Sequence, residues 1–360
     1  MQSPAFSPPK PWRRRARGLP ANRRGAAAVI AVIIVALIAV SAGAYFFFFQ
    51  KQQKPTEHTA KMHKVGILSG LDFFLPTADG FKAGMAELGY IEGKNVTYDL
   101  QKTNFDPQKE KAILEKFKSD KVDLVLTFPT EVSISAKETL KDTGIPLIFS
   151  NANIEDVGLI DSIKEPRGNV TGVRYPGPDL AIKRMEVLLE IVPGAKRIFI
   201  PYQEGYPNVA PQLKVLKPAA ASSGITIIDI PFKDARGLEN YLNNEANIKN
   251  FDAILIIPEP LTVTAETASL LDKFVDKNKT PLGGAIFPKT TGSLFGMTTN
   301  SIEVGKQAAV LADKVLKGQR AGTIPVISAD GFLTVNYKTA QKIGAVVPEG
   351  LLTRAIEIIR

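Results

Sequence analysis

From Lys64 onward the sequence alternates between two kinds of pattern, and this alternation constrains the fold more than any other feature. Short apolar runs occur at Val65–Leu68, Val96–Leu100, Val122–Leu126, Leu147–Phe149, Ile198–Ile200, Ile225–Ile230 and Ala253–Ile257. Between them lie longer stretches with helical spacing. Phe81, Met85 and Leu88 recur at i, i+4, i+7, as do Val304, Ala308 and Leu311, with Val315 next. Strands alternating with helices imply βαβ units and parallel sheets. Apolar strands of this kind are buried on both faces, so helices must cover both sides.

The turns agree. The run Gly89-Tyr90-Ile91-Glu92-Gly93-Lys94-Asn95 ends a helix and opens a strand. Gly144, with Pro146 two residues on, closes a second helix, and Gly224 a third. Thr77 and Thr130 each follow a proline and precede a helix, where they would serve as N-caps. The series runs twice, with four strands from Val65 to about Tyr175 and four more from Lys196 to about Ala285. Two open sheets of this kind suggest paired lobes, with ligands held outside the carboxyl ends of the strands. Those ends are Ser69–Leu75, Phe128–Thr130 and Ser150–Asn153 in the first half. In the second they are Tyr202–Tyr206, Pro258–Thr262 and Ile286–Lys289.

A length of 360 residues suits two domains with additions. The net charge of +9 is concentrated at one end. Residues 1–60 hold nine Lys or Arg and one acid, Glu57, which leaves the other 300 residues at +1. The folded part is close to neutral and carries no bulk signal for nucleic acid. With no cysteine, disulfides, thiol nucleophiles, Cys-bound metals and a Cys lipid anchor are excluded.

Gly25 to Phe49 is a stretch of 25 residues without a charge. As a helix it spans roughly 37 Å, enough to cross a bilayer core. Six arginines precede it and Tyr45–Phe49 form an aromatic end, which orients the N-terminus toward the cytoplasm. The expectation is a single-pass membrane protein with a basic tail over residues 1–24, an anchor over 25–49 and a polar linker over 50–62. The rival is a signal peptide cut after Ala42-Gly43-Ala44. That cut exposes Tyr45–Phe49, which is unfavourable. Both readings place the folded part outside the cytoplasm, either tethered to the membrane or free in the periplasm or medium.

At this point the motifs resemble those of a family of ABC-transporter substrate-binding proteins, the group of tryptophan- and tyrosine-binding-like proteins. The residues that carry the resemblance begin with Gly80-Phe81-Lys82-Ala83-Gly84 and Glu87 to Val96. They continue through Lys121-Val122-Asp123-Leu124-Val125, Gly144-Ile145-Pro146 and Gly168-Asn169-Val170-Thr171-Gly172-Val173. Val192-Pro193-Gly194-Ala195-Lys196-Arg197, Gly305 to Ala309 and Leu316-Lys317-Gly318 complete it, over roughly residues 63–357. The resemblance implies an α/β type I periplasmic-binding-protein fold, two Rossmann-like lobes with crossovers near Tyr175, Thr298 and Thr323. Residues 63–174 with 299–322 would form lobe one, and 175–298 with 323–360 lobe two. It also implies a monomeric ectodomain, a membrane permease as partner, and a small organic ligand such as an aromatic or other amino acid. At the pocket the sequence departs from the family. Phe128-Pro129-Thr130, Asn153-Ile154-Glu155 and Pro258-Glu259-Pro260-Leu261 stand where relatives carry Gly-Thr-Pro-Ala, Thr-Asp-Pro and Thr-Asp-Asn runs.

Candidate ligand residues follow from position at the strand ends. In the loop holding Ser69, Asp72, Phe73 and Phe74, an aromatic can stack on a planar ligand or simply pack beneath the loop. Thr127, Pro129 and Thr130 precede a helix whose free N–H groups suit a carboxylate, or a plain cap. Asn151 and Asn153 can bond ligand polar groups or serve their own turn. Tyr202, Gln203 and Glu204 hold the matching place in the second half. Glu259 is a partner for an ammonium or a solvated loop acid, and Asn300 is a further candidate. Arg174 and Tyr175 fall at the first crossover, as hinge or rim.

Nothing in the body points to catalysis. His58 and His63 are the two histidines, both in or beside the linker, so no Ser-His-Asp, Cys-His or common zinc set can form beyond them. No Gly-x-Ser-x-Gly elbow, Walker loop or Gly-rich cofactor fingerprint occurs, and no cofactor is expected. The expectation is a solute-binding protein of an ABC importer. The alternatives are a membrane-anchored ligand sensor signalling to a partner protein, and a hydrolase or isomerase on the same scaffold.

Overall fold

The computed structural model describes residues 61–244, 250–262 and 264–360. The tail and anchor expected over residues 1–49, and the linker as far as residue 60, lie outside them. Among the described residues no helix is long and apolar enough to cross a membrane.

Along the chain, β1 (His63–Ser69), α1 (Leu75–Glu87), β2 (Val96–Lys102), α2 (Pro107–Ser119), β3 (Leu124–Phe128), α3 (Thr130–Leu140), β4 (Leu147–Ala152) and β5 (Val170–Arg174) build the first lobe. The chain then crosses to a second lobe. This comprises α4 (Gly177–Ile191), β6 (Arg197–Gln203), α5 (Val209–Ser222), β7 (Thr226–Phe232), α6 (Ala235–Asn244), β8 (Ala253–Ile256), α7 (Ala265–Asn278), β9 (Leu282–Gly284) and β10 (Phe295–Thr299). It returns for α8 (Ser301–Leu316) and β11 (Ile327–Ser328). It crosses a last time for β12 (Gly331–Asn336), α9 (Tyr337–Ile343), α10 (Glu349–Arg354) and β13 (Glu357–Ile359). The strand orders are β11-β5-β4-β3-β1-β2 and β13-β12-β10-β9-β8-β6-β7. All pairings are parallel except β10 with β12.

Strand alternation explains why each sheet needs helices on both faces. Val65, Ile67, Leu124 and Leu126 pack with Phe81 and Met85 of α1 and with Val304, Ala308, Leu311 and Val315 of α8. Their neighbours Leu68 and Val125 point the other way, into Leu114 and Phe117 of α2 and Val132, Ala136 and Leu140 of α3. The second sheet repeats this. Ile198, Ile200 and Leu255 face α4 and α5, and Phe199, Ile254 and Ile256 face α6 and α7. Each of the Val, Leu, Ile, Phe and Met side chains among these contributes about 1.5–3 kcal/mol by leaving water. Phe81 and Met85 of the α1 stripe pack with the α8 stripe, whereas Leu88 lies beyond the end of α1 and is 41% exposed. A Cβ on Gly80 would lie 2.1 Å from the carbonyl oxygen of Ile302, and one on Gly305 would lie 2.1 Å from that of Thr77.

The structure corrects the sequence reading in several places. The third crossover falls between Ser328 and Gly331, not near Thr323. Ile324 and Val326 are buried in first-lobe cores, Thr171 Oγ1 donates to Ile324 O at 2.8 Å, and Ile327 pairs with Val173. The first lobe gains β5, whose Val-Thr-Gly-Val-Arg composition is no apolar run. Thr77 and Thr130 do not cap their helices. The cap positions are Phe74 and Pro129, and neither supplies a side-chain bond. The two threonines accept instead from Asn151 Nδ2 (2.7 Å) and Asn153 N (3.0 Å), tying β4 to α1 and α3.

Candidate ligand-binding site

Among the described residues the lobes meet at several places, three of them just beyond the carboxyl end of a strand or crossover. After β1 and β9, Phe73 and Phe287 lie edge to face with ring centroids 6.1 Å apart. After β3 and β6, the Tyr206 hydroxyl donates to Glu131 Oε1 at 2.9 Å. After β4 and the first crossover, Asn153 Oδ1 lies 2.7 Å from where a Gly177 Cβ would stand, and the Gln212 side chain lies 3.7 Å from the same point. Contacts within each lobe join the last two places. Thr130 adjoins Glu131 and accepts from Asn153 N, while Gln212 Nε2 donates to Asn208 O, two residues beyond Tyr206. The seam is therefore one continuous surface of Thr130, Glu131 and Asn153 facing Gly177, Tyr206 and Gln212.

Its electrostatics are anionic. Burial, then the Glu131 carboxylate beside it, pushes the Tyr206 hydroxyl far above the ordinary tyrosine range, and Glu259 adds to this. Burial also raises Glu259. No Lys, Arg or His forms an ion pair with Glu131 or Glu259 among the described residues. Two acceptors are buried without a hydrogen-bond partner, Glu131 Oε2 and Gln212 Oε1. Ser150 Oγ, at the bulged end of β4, is a third unpartnered group. The α3 N-terminus is free of a side-chain cap, as a carboxylate-binding turn requires, and follows a cis Phe128–Pro129 bond.

The residues expected from sequence distribute unevenly over this surface. Thr130 and Asn153 lie on it, and Pro129 forms the turn that aims α3 at it. Phe73 stands at the mouth, 58% exposed, with Phe74 packed against it at 5.1 Å. The others serve their own lobes. Ser69 Oγ donates to Leu71 O, and Asp72 pairs with Lys102 at 2.6 Å on the outside. Thr127 donates to Ser133 in the interior, and Asn151 adopts a left-handed backbone and bonds Thr77. Glu259 is no solvated loop acid. It is 4% exposed, and its two oxygens accept from Leu261 N and Thr262 N, at 2.7 and 2.8 Å. Asn300 caps α8 through Ile302 N and Glu303 N. Tyr202 and Gln203 finish β6 half-buried, and Glu204 is exposed. Glu131 and Gln212 were not among the expected residues, and Tyr206 and Phe287 fell inside the expected strand-end runs Tyr202–Tyr206 and Ile286–Lys289 without being singled out. Gln212 had a signal, since it is a polar residue beside Val209, Leu213 and Leu216 on the buried face of α5.

A separate groove of about 560 Å³ runs along α7, lined by Thr262, Asp272, Lys273, Asp276, Phe287 and Thr290 among others. It draws no residue from the first lobe, so it is not the cleft between them. Among the described residues no group of acidic or histidine side chains could hold a metal ion.

Two parallel-sheet lobes joined by three crossings and meeting along their strand ends define a periplasmic-binding-protein-like fold, and solved proteins of that fold hold small molecules such as L-Trp and myo-inositol. The chain belongs to the ABC transporter substrate binding protein family, whose profile matches residues 67–359. It is 26% identical over 257 residues to a tyrosine-binding protein of Clostridioides difficile, covering 70% of this chain and 71% of that one. A domain from Streptococcus pneumonia solved with L-Trp has the same fold, with a TM-score of 0.70 at 22% identity over 83% of this chain and all of that one. So does the ligand-free, open structure of a substrate binding protein with adhesive properties from Clostridium difficile, at TM-score 0.70 and 23% identity over 83% and 99% of the chains. The family and these relatives are binding proteins rather than enzymes, which fits a site built to capture.

Proposed function

We propose that this protein captures an amino acid of the aromatic class between its lobes, outside the cytoplasm, and presents it to the membrane permease of an ABC importer. The observation that carries this reading is the polar seam, with Thr130, Glu131 and Asn153 on one lobe opposite Tyr206 and Gln212 on the other. Polar groups concentrated where two hydrophobic lobes touch are costly unless a ligand or the opposite lobe satisfies them. A zwitterion matches the seam, with its carboxylate at the uncapped α3 N-terminus and its amine among the acidic groups. The rim aromatics Phe73 and Phe287 offer edges and faces to a planar side chain. The tyrosine-binding relative and the L-Trp complex support this class. The uncharged stretch before the body, with its flanking arginines, supports a membrane tether.

Thermal unfolding of the chain with each of the common amino acids, purines and sugars tests the reading. A ligand at 100-fold over Kd adds about 2.7 kcal/mol, which raises the melting point of a body this size by roughly 4 °C. A shift with tyrosine, tryptophan or phenylalanine is the expected result. A panel in which only sugars or purines shift the transition defeats the ligand class. Reconstitution with the cognate permease and ATPase, showing no ligand-dependent ATP turnover, defeats the importer role.

A further inference from the structure

The proposed capture of an amino acid leaves open what in this chain distinguishes an amine-bearing ligand from an acid or polyol of the same shape. Building on that reading, we infer that Glu131, with Gln212 opposite it, is the receptor for a primary ammonium and the residue that sets this specificity.

Glu131 stands at the seam with its two oxygens in different situations. Oε1 accepts from the Tyr206 hydroxyl of the other lobe at 2.9 Å. Oε2 is buried and has no partner. A glutamate in a first helical turn is usually explained by the helix dipole, but the dipole asks only for proximity and leaves the carboxylate in water. Here the carboxylate is held between lobes, where an unpaired oxygen carries a real cost. Gln212 adds a second acceptor. Its Nε2 donates to the carbonyl of Asn208 at 2.8 Å, which only the amide nitrogen can do, so the buried atom left over is the oxygen. Gln212 is fully buried, and it faces the lobe seam beside Gly177 and Asn153.

Glu131 Oε2 and Gln212 Oε1, one on each lobe, are both buried without a donor. An ammonium has three donors and no acceptor. A carboxylate brings no donor to these oxygens. A hydroxyl brings one. The surrounding charge agrees, because the groups near the Tyr206 hydroxyl are the acids Glu131 and Glu259, and Glu110 on α2 lies close enough to Glu131 for mutual repulsion. Glu259 is already bonded to its own turn through Leu261 N and Thr262 N, so the open capacity for a cation belongs to Glu131.

Calorimetric titration of the full chain, as wild type, E131Q and Q212M, tests this with three probes: L-tyrosine, tyramine, and 3-(4-hydroxyphenyl)propionate, which lacks the amine. A hydrogen bond to a charged group accounts for about a 10- to 100-fold change in affinity. The wild type should bind the two amines, and the deaminated acid at least about tenfold more weakly than L-tyrosine. E131Q should lose about 10- to 100-fold for the amines and nothing for the acid, and Q212M should lose less. Equal amine affinity in E131Q and wild type overturns the inference, as does equal binding of L-tyrosine and its deaminated analogue by the wild type. If E131Q does not melt cooperatively, Q212M decides alone, and unchanged amine binding there is fatal. Should the wild type ignore all three probes, the aromatic reading fails by itself. The same variants are then titrated with L-leucine, putrescine and myo-inositol. An amine that binds wild type and is lost in E131Q sustains the role of Glu131, and the absence of any bound amine ends it.

Discussion

Replacing Gly305 by alanine sets two large effects of opposite sign against each other, and the packing of α1 on α8 decides which one wins. In an exposed helix interior this change gains about 1 kcal/mol, because glycine is the poorer helix former. At Gly305 the new Cβ would lie 2.1 Å from the Thr77 carbonyl oxygen, 2.6 Å from Phe81 N and 2.9 Å from the Gly80 carbonyl carbon. All three are backbone atoms of α1, so no side-chain rotation relieves the contact. The helices must separate by roughly 1.4 Å to restore ordinary distances near 3.5 Å, and separation opens space along Phe81, Met85, Val304 and Ala308. Overpacking of this kind costs about 3 kcal/mol when backbone must move, so the net loss is about 2 kcal/mol. Urea unfolding of wild type and G305A measures it as a lower midpoint at unchanged slope. G350A is the internal control. Gly350 lies in α10 with nothing within 4 Å of its missing Cβ, so alanine there should be neutral or stabilising by up to about 1 kcal/mol. A G305A protein as stable as wild type, or more so, refutes the reasoning, because propensity would then outweigh a contact that the geometry forbids.

Three further outcomes follow from the site and its frame. Y206F removes the hydroxyl that bridges to Glu131 and should weaken ligand binding by about tenfold or more with little change in the unliganded melting point. Calorimetry showing an unaltered Kd would remove that bridge from the closure mechanism. F287A breaks the rim contact with Phe73 and should reduce affinity for aromatic ligands by about two- to tenfold, read in the same titration, while an aliphatic ligand is spared. Asp252 is held below the ordinary carboxylate range by its bond to Arg197, with help from the amides of Lys196 and Arg197. Its stabilising contribution is therefore fully present above the unfolded value of about 3.9 and is lost as pH falls through the lower folded one. In urea melts D252N should be less stable than wild type at neutral pH, and the gap should close toward about pH 3. A gap constant across that range would mean the pair contributes nothing to the titration.

Much of the architecture was legible because burial on both faces of a parallel sheet leaves a one-dimensional trace. Val65–Leu68, Leu147–Phe149 and Ile198–Ile200 read as strands because every position faces a helix, and the stripes of α1 and α8 read as helices at their own period. The trace fades where side chains are small or polar. The buried strand β5 carries Thr171 and Gly172, and β11 is two residues long and joins its sheet through Ile327 and Ser328. The site was less legible for a different reason. Glu131 and Tyr206 are 75 residues apart, and the contact between them across the lobes leaves no trace in one dimension. In one dimension Glu131 is a common first-turn acid, and Tyr206 falls at the end of a polar loop beyond the triplet Tyr202-Gln203-Glu204. Strand ends could be located from pattern, which is why the expected set included Thr130 and Asn153, two residues placed where the lobes meet. Which side chain leaves a strand end for the opposite lobe depends on the crossover geometry, and that is set by the whole fold.

Under the proposed function, the same seam would make capture and closure one event. Bringing the lobes together takes Glu131 Oε2 and Gln212 Oε1 out of water, and an unsatisfied buried acceptor costs about 1–3 kcal/mol, more for a charged one. The bond from Tyr206 to Glu131 offsets part of that by satisfying one oxygen. Closure without a donor in the seam would thus be opposed by a few kcal/mol. A ligand that donates to both acceptors removes the opposing cost in the closed arrangement alone, since in the open one water already serves each oxygen. That difference in ligand affinity between two arrangements is the quantity that shifts a population. Two acceptors at about 1–3 kcal/mol each give about 10- to 10⁴-fold preference for closure with ligand over closure without. A partner that reads the relative position of the lobes would then distinguish a loaded protein from an unloaded one without touching the ligand.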